Sequence, residues 1–127
     1  MREPEWADKT TLLLLQALAI AEHGGLEGVR DDGLLDSALA RPRNLWAYEG
    51  ITSLARLAAS YAFAIVRNHP FADGNKRAAF MAATVFLARN EVRLRADQGE
   101  TTRIFYGLAS GEISEMCLAE WIEKHLT

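Results

Sequence analysis

Cysteine and proline are scarce in this chain, and it has no long hydrophobic run. Cys117 is the only cysteine among 127 residues, so no internal disulfide and no metal cluster of several cysteines can form. The longest apolar run, residues 11–20, contains Gln16 and is far shorter than the roughly 20 residues that span a membrane. The first residues, MREPEWADK, are acidic and polar, unlike a secretory signal. We therefore expect a cytoplasmic protein without membrane contact.

The charges nearly balance, with 14 Lys and Arg against 17 Asp and Glu. A formal net charge of -3 gives no overall reason to expect direct binding to nucleic acid, although charge can still be concentrated locally. Half of the residues are hydrophobic, which is typical of a folded globular chain. The length suits one unit with its own core, so we expect a single domain over residues 1–127.

Apolar residues recur at helical spacing through most of the chain and predict an all-α fold. The expected helices cover residues 6–22, 33–40 with Asp32 as N-cap, 52–68, 74–90, 97–109 and 114–126. Residues 42–51 show no period, and Pro42 should stop the preceding helix, so a loop or short extended flap is expected there. The stretch Ala78–Leu87 is apolar on every side apart from Thr84, which indicates the central buried helix of a bundle.

The ten residues NHPFADGNKR, at positions 68–77, place charge where helix stability alone would not. Gly74 and Asn75 open a helix, so Lys76 and Arg77 lie in its first turn, where the helix dipole is already positive. Arg67, just before this stretch, could add a third cation. Free amides and several cations at one helix start are suited to binding an anion, most commonly phosphate.

Two more residues of this stretch add possible chemistry. Asp73 is a hard oxygen ligand suited to Mg²⁺ that bridges phosphates, and His69 is a natural general base near neutral pH. Phe71, between them, should insert into the core and hold the loop. Taken singly, these residues also fit ordinary surface turns and solvated charges. Together they favour transfer of a phosphate-containing group to a hydroxyl, because a plain turn leaves the unfavourable charges unexplained.

The segment HPFADGNKR, residues 69–77, resembles the signature of the Fic/Doc superfamily, and its Gly-Asn-Lys-Arg ending resembles the Doc (death-on-curing) toxin branch. Two other segments are also similar to this superfamily: GGLEGVRDDGLLDSALARPRN at 24–44 and ASGEIS at 109–114. The likeness covers about residues 20–126. It implies a compact all-α bundle around a central buried helix, with residues 42–51, including Leu45, Trp46 and Tyr48, as a flap that presents the target. For Trp46 and Tyr48, ordinary core packing is an equally good interpretation, since large aromatic residues serve both purposes.

The resemblance also implies the roles of individual residues. His69 would be the base, Asp73 the Mg²⁺ ligand, and the phosphates of ATP would be bound by Arg67, Gly74, Asn75, Lys76 and Arg77. The chain departs twice from members that transfer AMP, since Lys76 replaces a second glycine and Phe80 replaces a second arginine. Met81 stands where Doc proteins have a polar residue, so that contact is not expected here.

The Gly-to-Lys change is the Doc pattern, and Doc toxins are kinases. The resemblance therefore implies that the γ-phosphoryl group of ATP is moved to a threonine or serine hydroxyl, with elongation factor Tu as target, which arrests translation. It also implies a small Phd-like antitoxin as partner. Protein adenylylation is the close alternative. A metal-dependent ribonuclease and a catalytically silent binding module are two further alternatives from other classes.

Overall fold

The computed structural model describes residues 2–127, which form six α-helices. Their bounds are α1 Lys9–His23, α2 Asp32–Glu49, α3 Leu54–Asn68, α4 Asn75–Arg89, α5 Gln98–Ser110 and α6 Glu115–Lys124. Residues 2–127 contain no β-strand. Two isolated β-bridges occur among them, one of which joins Leu94 to Leu126. The expected all-α bundle is confirmed. None of the six helices is long and apolar enough to cross a membrane.

Helix α3 lies at the centre of the bundle and packs against α2, α4, α5 and α6. Nine of its 15 residues are buried, against seven of 15 in α4. Five of those nine are alanines, which let neighbouring helices approach closely. No residue of Ala78–Leu87 in α4 is exposed, which confirms the expected burial, but the central helix of the bundle is α3 and not α4 as expected. The two helices that flank the 69–74 loop are therefore both anchored in the core.

Helix α2 continues through Pro42 to Glu49, so the predicted loop or flap over residues 42–51 is wrong. A proline inside a helix removes one backbone hydrogen bond and usually breaks the helix. Here the Pro42 side chain is fully buried, and the preceding Arg41 ties α2 to the rest of the bundle. Arg41 Nη1 donates to Ser60 Oγ and Nη2 donates to Glu115 Oε1, each at 2.9 Å. These tertiary contacts outweigh the local preference.

The three residues assigned to the flap lie on α2, and the alternative of core packing holds for Trp46 but not for Tyr48. The Trp46 ring packs edge-on against Trp6, with 6.3 Å between ring centroids. Leu45 is half-buried, whereas Tyr48 is 83% exposed on the last turn of α2. Trp46 therefore contributes to packing, and α2 ends at Gly50, whose φ of 66° lies in the left-handed region.

Small differences occur at other boundaries. Helix α1 begins at Lys9 rather than Trp6, and Asp31 rather than Asp32 caps α2 by accepting a hydrogen bond from the Leu34 amide. Gly24 ends α1 as expected, with a φ of 86°. Such shifts of one to three residues leave the order of the helices unchanged.

Tyr61 links the N-terminal segment to α3. Its hydroxyl oxygen accepts a hydrogen bond from the Ala7 amide at 3.0 Å, and the side chain is fully buried. Burial raises the pKa of the Tyr61 hydroxyl from 10.0 to about 12. The neutral phenol is therefore favoured in the folded state.

The raised pKa of Tyr61 predicts a loss of stability at alkaline pH. Its contribution is present below the unfolded pKa of about 10 and disappears as the pH rises from there through about 12, by up to roughly 1.4 kcal/mol per pH unit. Tyr61→Phe should remove this slope, and at neutral pH should cost about 1–3 kcal/mol, since it leaves the Ala7 amide without a partner. Denaturant unfolding across this pH range, with the exposed Tyr48→Phe as control, tests both effects. Equal alkaline slopes in wild type and Tyr61→Phe would contradict the assignment.

Candidate active site

The start of α4 has the features that the sequence predicts for an anion site. The helix begins at Asn75, with Gly74 as N-cap in the left-handed region, and no side chain caps it. Lys76 and Arg77 are exposed in its first turn, which contains no acidic residue. The amides of a first helical turn have no partner within the helix, so the helix dipole makes this terminus positive. The side chains of Lys76 and Arg77 add to that positive charge.

A cavity of ≈ 620 Å³ lies in front of this helix start. The motif side chains that line it are His69, Asp73, Asn75, Lys76 and Arg77, together with Gly74; α1 adds Ile20 and α5 adds Tyr106, Ala109 and Ser110. The structure thus brings together six of the seven residues predicted for the site. Arg67 is the one that does not line this cavity.

His69 follows α3 directly and has an unusual backbone conformation. It is the C-cap of that helix, with φ of 49° and ψ of 55°, and its amide donates to the Ile65 carbonyl at 3.0 Å. A residue with a side chain rarely adopts this left-handed geometry. The imidazole is exposed and borders the cavity, as a base would have to be.

Asn75 holds the loop together from inside. Its side chain is 8% exposed; Oδ1 accepts from the Phe71 amide at 2.9 Å and Nδ2 donates to the Phe71 carbonyl at 3.0 Å. These two bonds settle which end of the amide is nitrogen, so the 3.2 Å contact to His69 Nδ1 is donated by Asn75 Nδ2. The neutral His69 ring then carries its proton on Nε2. Asn75 was predicted to bind phosphate, but its side chain is hydrogen-bonded within the loop. Only its backbone amide is left to bind an anion.

Phe71 occupies the place predicted for it. Its side chain is 1% exposed within the main hydrophobic cluster, so it anchors the loop in the core. Burial of such an aromatic ring is worth about 1.5–3 kcal/mol, which explains why a loop that carries several polar side chains stays in one place.

Asp73 is exposed, and its carboxylate already has two backbone partners. Oδ1 accepts from the Gly74 amide at 2.8 Å, and Oδ2 accepts from the Leu26 amide at 3.3 Å. The Gly74 amide is therefore used within the loop, so the amides left for an anion belong to residues 75–77. A carboxylate offers about four lone-pair positions, so Asp73 retains capacity for another ligand.

The residues present fit a Mg²⁺ ion that is shared with phosphate. Magnesium is usually held by one or two carboxylates plus phosphate oxygens and water rather than by a cage of protein ligands. Across residues 2–127, no three His, Cys, Asp or Glu side chains cluster closely enough to hold a metal by themselves. Asp73, beside the cationic helix start, meets the usual requirement for magnesium.

The sequence model of the Fic/DOC family matches residues 6–87 of the chain. The chain belongs to the Fic/DOC family. Two relatives place it in the Doc branch: "Protein kinase doc" of Escherichia phage P1 is 37% identical over 113 residues, which is 89% of each chain. "Toxin Doc" of Mycolicibacterium smegmatis is 40% identical over 94 residues, which is 73% of this chain and 70% of the relative.

Arg67 and Phe80, whose positions were compared with those of other family members, do not line the cavity. The Arg67 guanidinium stacks over the Phe63 ring, 5.8 Å from its centroid, and lines a groove between α2 and α3. Phe80 packs edge-on against Phe105 at 5.3 Å between ring centroids. The position at which AMP-transferring members would have a second arginine thus carries an aromatic ring turned toward α5.

Two residues of the site, Gln16 and Tyr106, were not predicted from the sequence. Gln16 of α1 is 3% exposed, and its Nε2 donates to the Asp73 carbonyl at 3.1 Å. Tyr106 of α5 lies under Lys76, with 4.4 Å from Nζ to the ring centroid. Gln16 did give a signal, because it is a polar interruption in an apolar run. Tyr106 gave none, since its role depends on how α5 packs beside α4.

Gly25 leaves room for the Asp73 carboxylate. A Cβ added there would lie 2.6 Å from Asp73 Oδ2, whereas one added at Gly28 would meet nothing within 4 Å. The two glycines have nearly the same positive φ, 115° and 113°, so the backbone strain of a substitution is matched.

Gly25→Ala should therefore displace the Asp73 carboxylate, and Gly28→Ala should not. Both should lower the free energy of unfolding by about 1 kcal/mol or more through strain. Only Gly25→Ala should speed hydrogen exchange at the Leu26 and Gly74 amides, which donate to that carboxylate. Equal exchange in the two variants would show that Gly25 has no part in holding Asp73.

The cations of α4 should destabilise the ligand-free protein. Arg77→Gln should raise the free energy of unfolding by about 0.3–1 kcal/mol at low ionic strength, because it removes a cation from a helix N-terminus. Lys76→Gln should gain less, since it also loses the contact with Tyr106, worth about 0.5–1 kcal/mol at an exposed site. Denaturant unfolding measures both, with Arg103→Gln in the middle of α5 as control. A loss of stability in Arg77→Gln would refute the idea of an electrostatically unsatisfied helix start.

Proposed function

We propose that this protein is a Doc-type toxin with protein kinase activity, which transfers the γ-phosphoryl group of ATP to a threonine or serine hydroxyl. The proposal is carried by one observation: His69, Asp73 and the uncapped, cationic start of α4 surround one cavity of ≈ 620 Å³. This volume is typical of small-molecule sites. The names of the two relatives, a protein kinase and a toxin, support the same class.

The proposed division of labour follows from the positions of the side chains. Lys76, Arg77 and the amides of residues 75–77 would bind the phosphate oxygens and stabilise the charge that develops during transfer. Asp73 would hold Mg²⁺, which would offset the charge of these oxygens. Tyr106 would keep Lys76 over the cavity, as it does here.

His69 would accept the proton of the incoming hydroxyl. The hydroxyl oxygen forms a bond to the γ-phosphorus while the bond from that phosphorus to the bridging oxygen breaks, which releases ADP. The His69 ring borders the cavity, so the acceptor hydroxyl would meet the imidazole there and would give up its proton to the ring.

Phe80 favours phosphoryl transfer over AMP transfer. A second arginine at its position would add a cation to bind a triphosphate, as the resemblance to AMP-transferring members implies. Phe80 packs against Phe105 instead, so the cationic groups concentrate at Lys76 and Arg77. A single strong phosphate site beside His69 suits attack at the terminal phosphorus.

The biological setting proposed here follows what the resemblance to Doc toxins implies. We propose elongation factor Tu as the target, so that modification arrests translation in the cytoplasm. A Phd-like antitoxin would be the partner that neutralises the protein. His69 and Asp73 are exposed, so a partner protein could reach the site.

Two radiolabels distinguish the possible transfers. With magnesium and elongation factor Tu, ATP labelled at the γ-phosphate should label the factor, and ATP labelled at the α-phosphate should not. Label from the α position alone would replace the proposal with adenylylation. RNA decay without ATP would replace it with ribonuclease activity.

His69→Ala should abolish the γ-label transfer, by a factor of about 100 or more, because the hydroxyl loses its base. The exposed His23→Ala is the control, and it should retain transfer. Circular dichroism should show the same helix content in both variants. Full labelling by His69→Ala would exclude His69 as the base.

A further inference from the structure

The segment between α1 and α2 lies along the 69–74 loop and is hydrogen-bonded to it at several points. The Arg30 amide donates to the Pro70 carbonyl at 2.7 Å, and the Ala72 amide donates to the Gly28 carbonyl at 3.0 Å. Val29 and Phe71 form an isolated antiparallel bridge between the same two segments. The 69–74 loop is thus held in place by residues about 40 positions earlier in the chain.

The side chain of Arg30 reaches the end of α3. Its Nε donates to the His69 carbonyl at 2.7 Å, and its Nη2 donates to the Asn68 carbonyl at 2.9 Å. These carbonyls belong to the C-terminus of a helix, where oxygens lack intrahelical partners and where a cation is favourable. Arg30 therefore contacts three consecutive residues, 68–70, through its backbone and its planar side chain.

His69 needs such support because its backbone is in the left-handed region. Of the non-glycine residues in the range 2–127, only His69 and Glu91 have a positive φ. The direction of the imidazole depends on this φ, since the side chain leaves from the same Cα. The Arg30 side chain holds the carbonyls of the two peptides that flank the His69 Cα, Asn68–His69 and His69–Pro70, so it restricts the backbone rotation that would turn the ring away.

We propose that Arg30 is a positioning residue for His69, which acts through the backbone to aim the imidazole at the cavity. The inference rests on the proposed function in so far as His69 is the base. Arginine is required here because two N–H groups of one rigid plane serve two adjacent carbonyls. A lysine keeps the charge at the helix end but can reach these carbonyls only with a single flexible group.

Arg30→Lys and Arg30→Ala test the proposal, with the exposed Arg103→Lys of α5 as matched control. Arg30 is itself exposed, so its replacement leaves no buried gap. With ATP and elongation factor Tu, we expect kcat to fall about tenfold or more in both Arg30 variants, as misplaced groups commonly cause. The KM for ATP should change less than about twofold, because the phosphate-binding groups lie on α4.

A second measurement does not depend on activity. The ¹³Cα and ¹³Cβ chemical shifts of His69 report its backbone conformation, and in Arg30→Ala they should move away from left-handed values. They should stay unchanged in Arg103→Lys. Added guanidinium should restore part of the kcat of Arg30→Ala.

Unchanged His69 shifts in Arg30→Ala would overturn the proposal, and so would wild-type kcat in Arg30→Lys. A loss of stability without any change in kcat would likewise assign Arg30 to helix capping alone. If wild type transfers no phosphate, the proposed kinase function fails. In that case the His69 shifts still decide whether Arg30 positions the residue.

Discussion

The side-chain amide of Asn75, closed onto the backbone of Phe71, is the interaction on which the site depends. It lets a polar turn enter the core, because it satisfies both backbone groups of a residue whose ring is buried. The same side-chain amide contacts His69, and Asn75 is the first residue of α4. One buried side chain thereby couples the position of the ring to the start of the helix that would bind phosphate.

The start of α4 illustrates how function opposes stability. Asp or Glu would suit a helix N-terminus, and α2, α5 and α6 each have one in the first turn. Helix α4 has Lys76 and Arg77 there and no side-chain cap. The fold tolerates this because α4 is anchored further along by Ala78–Leu87. The unfavourable charge can therefore persist at one end and be relieved by an anion.

Rigidity at the site comes from segments distant in sequence. Gln16 holds the Asp73 carbonyl, Gly25 makes room for the Asp73 carboxylate, and Arg30 holds the end of α3. Each contact joins α1 or the segment after it to the 69–74 loop. A short loop with this many outside contacts has a defined shape before any ligand binds, which lowers the ordering cost of binding.

The sequence by itself determined the helical class and the convergence of His69 and Asp73 with the cationic start of α4, because these depend on local spacing, and a resemblance of residues 69–77 indicated the Fic/DOC family. It could not show that α2 continues through Pro42, since the tertiary contacts of Arg41 and the burial of Pro42 outweigh a local rule. Nor could it place Arg67 outside the cavity. Only the tertiary structure decided these points, and the roles of Arg30 and Tyr106, because side-chain contacts between distant segments depend on how whole helices pack.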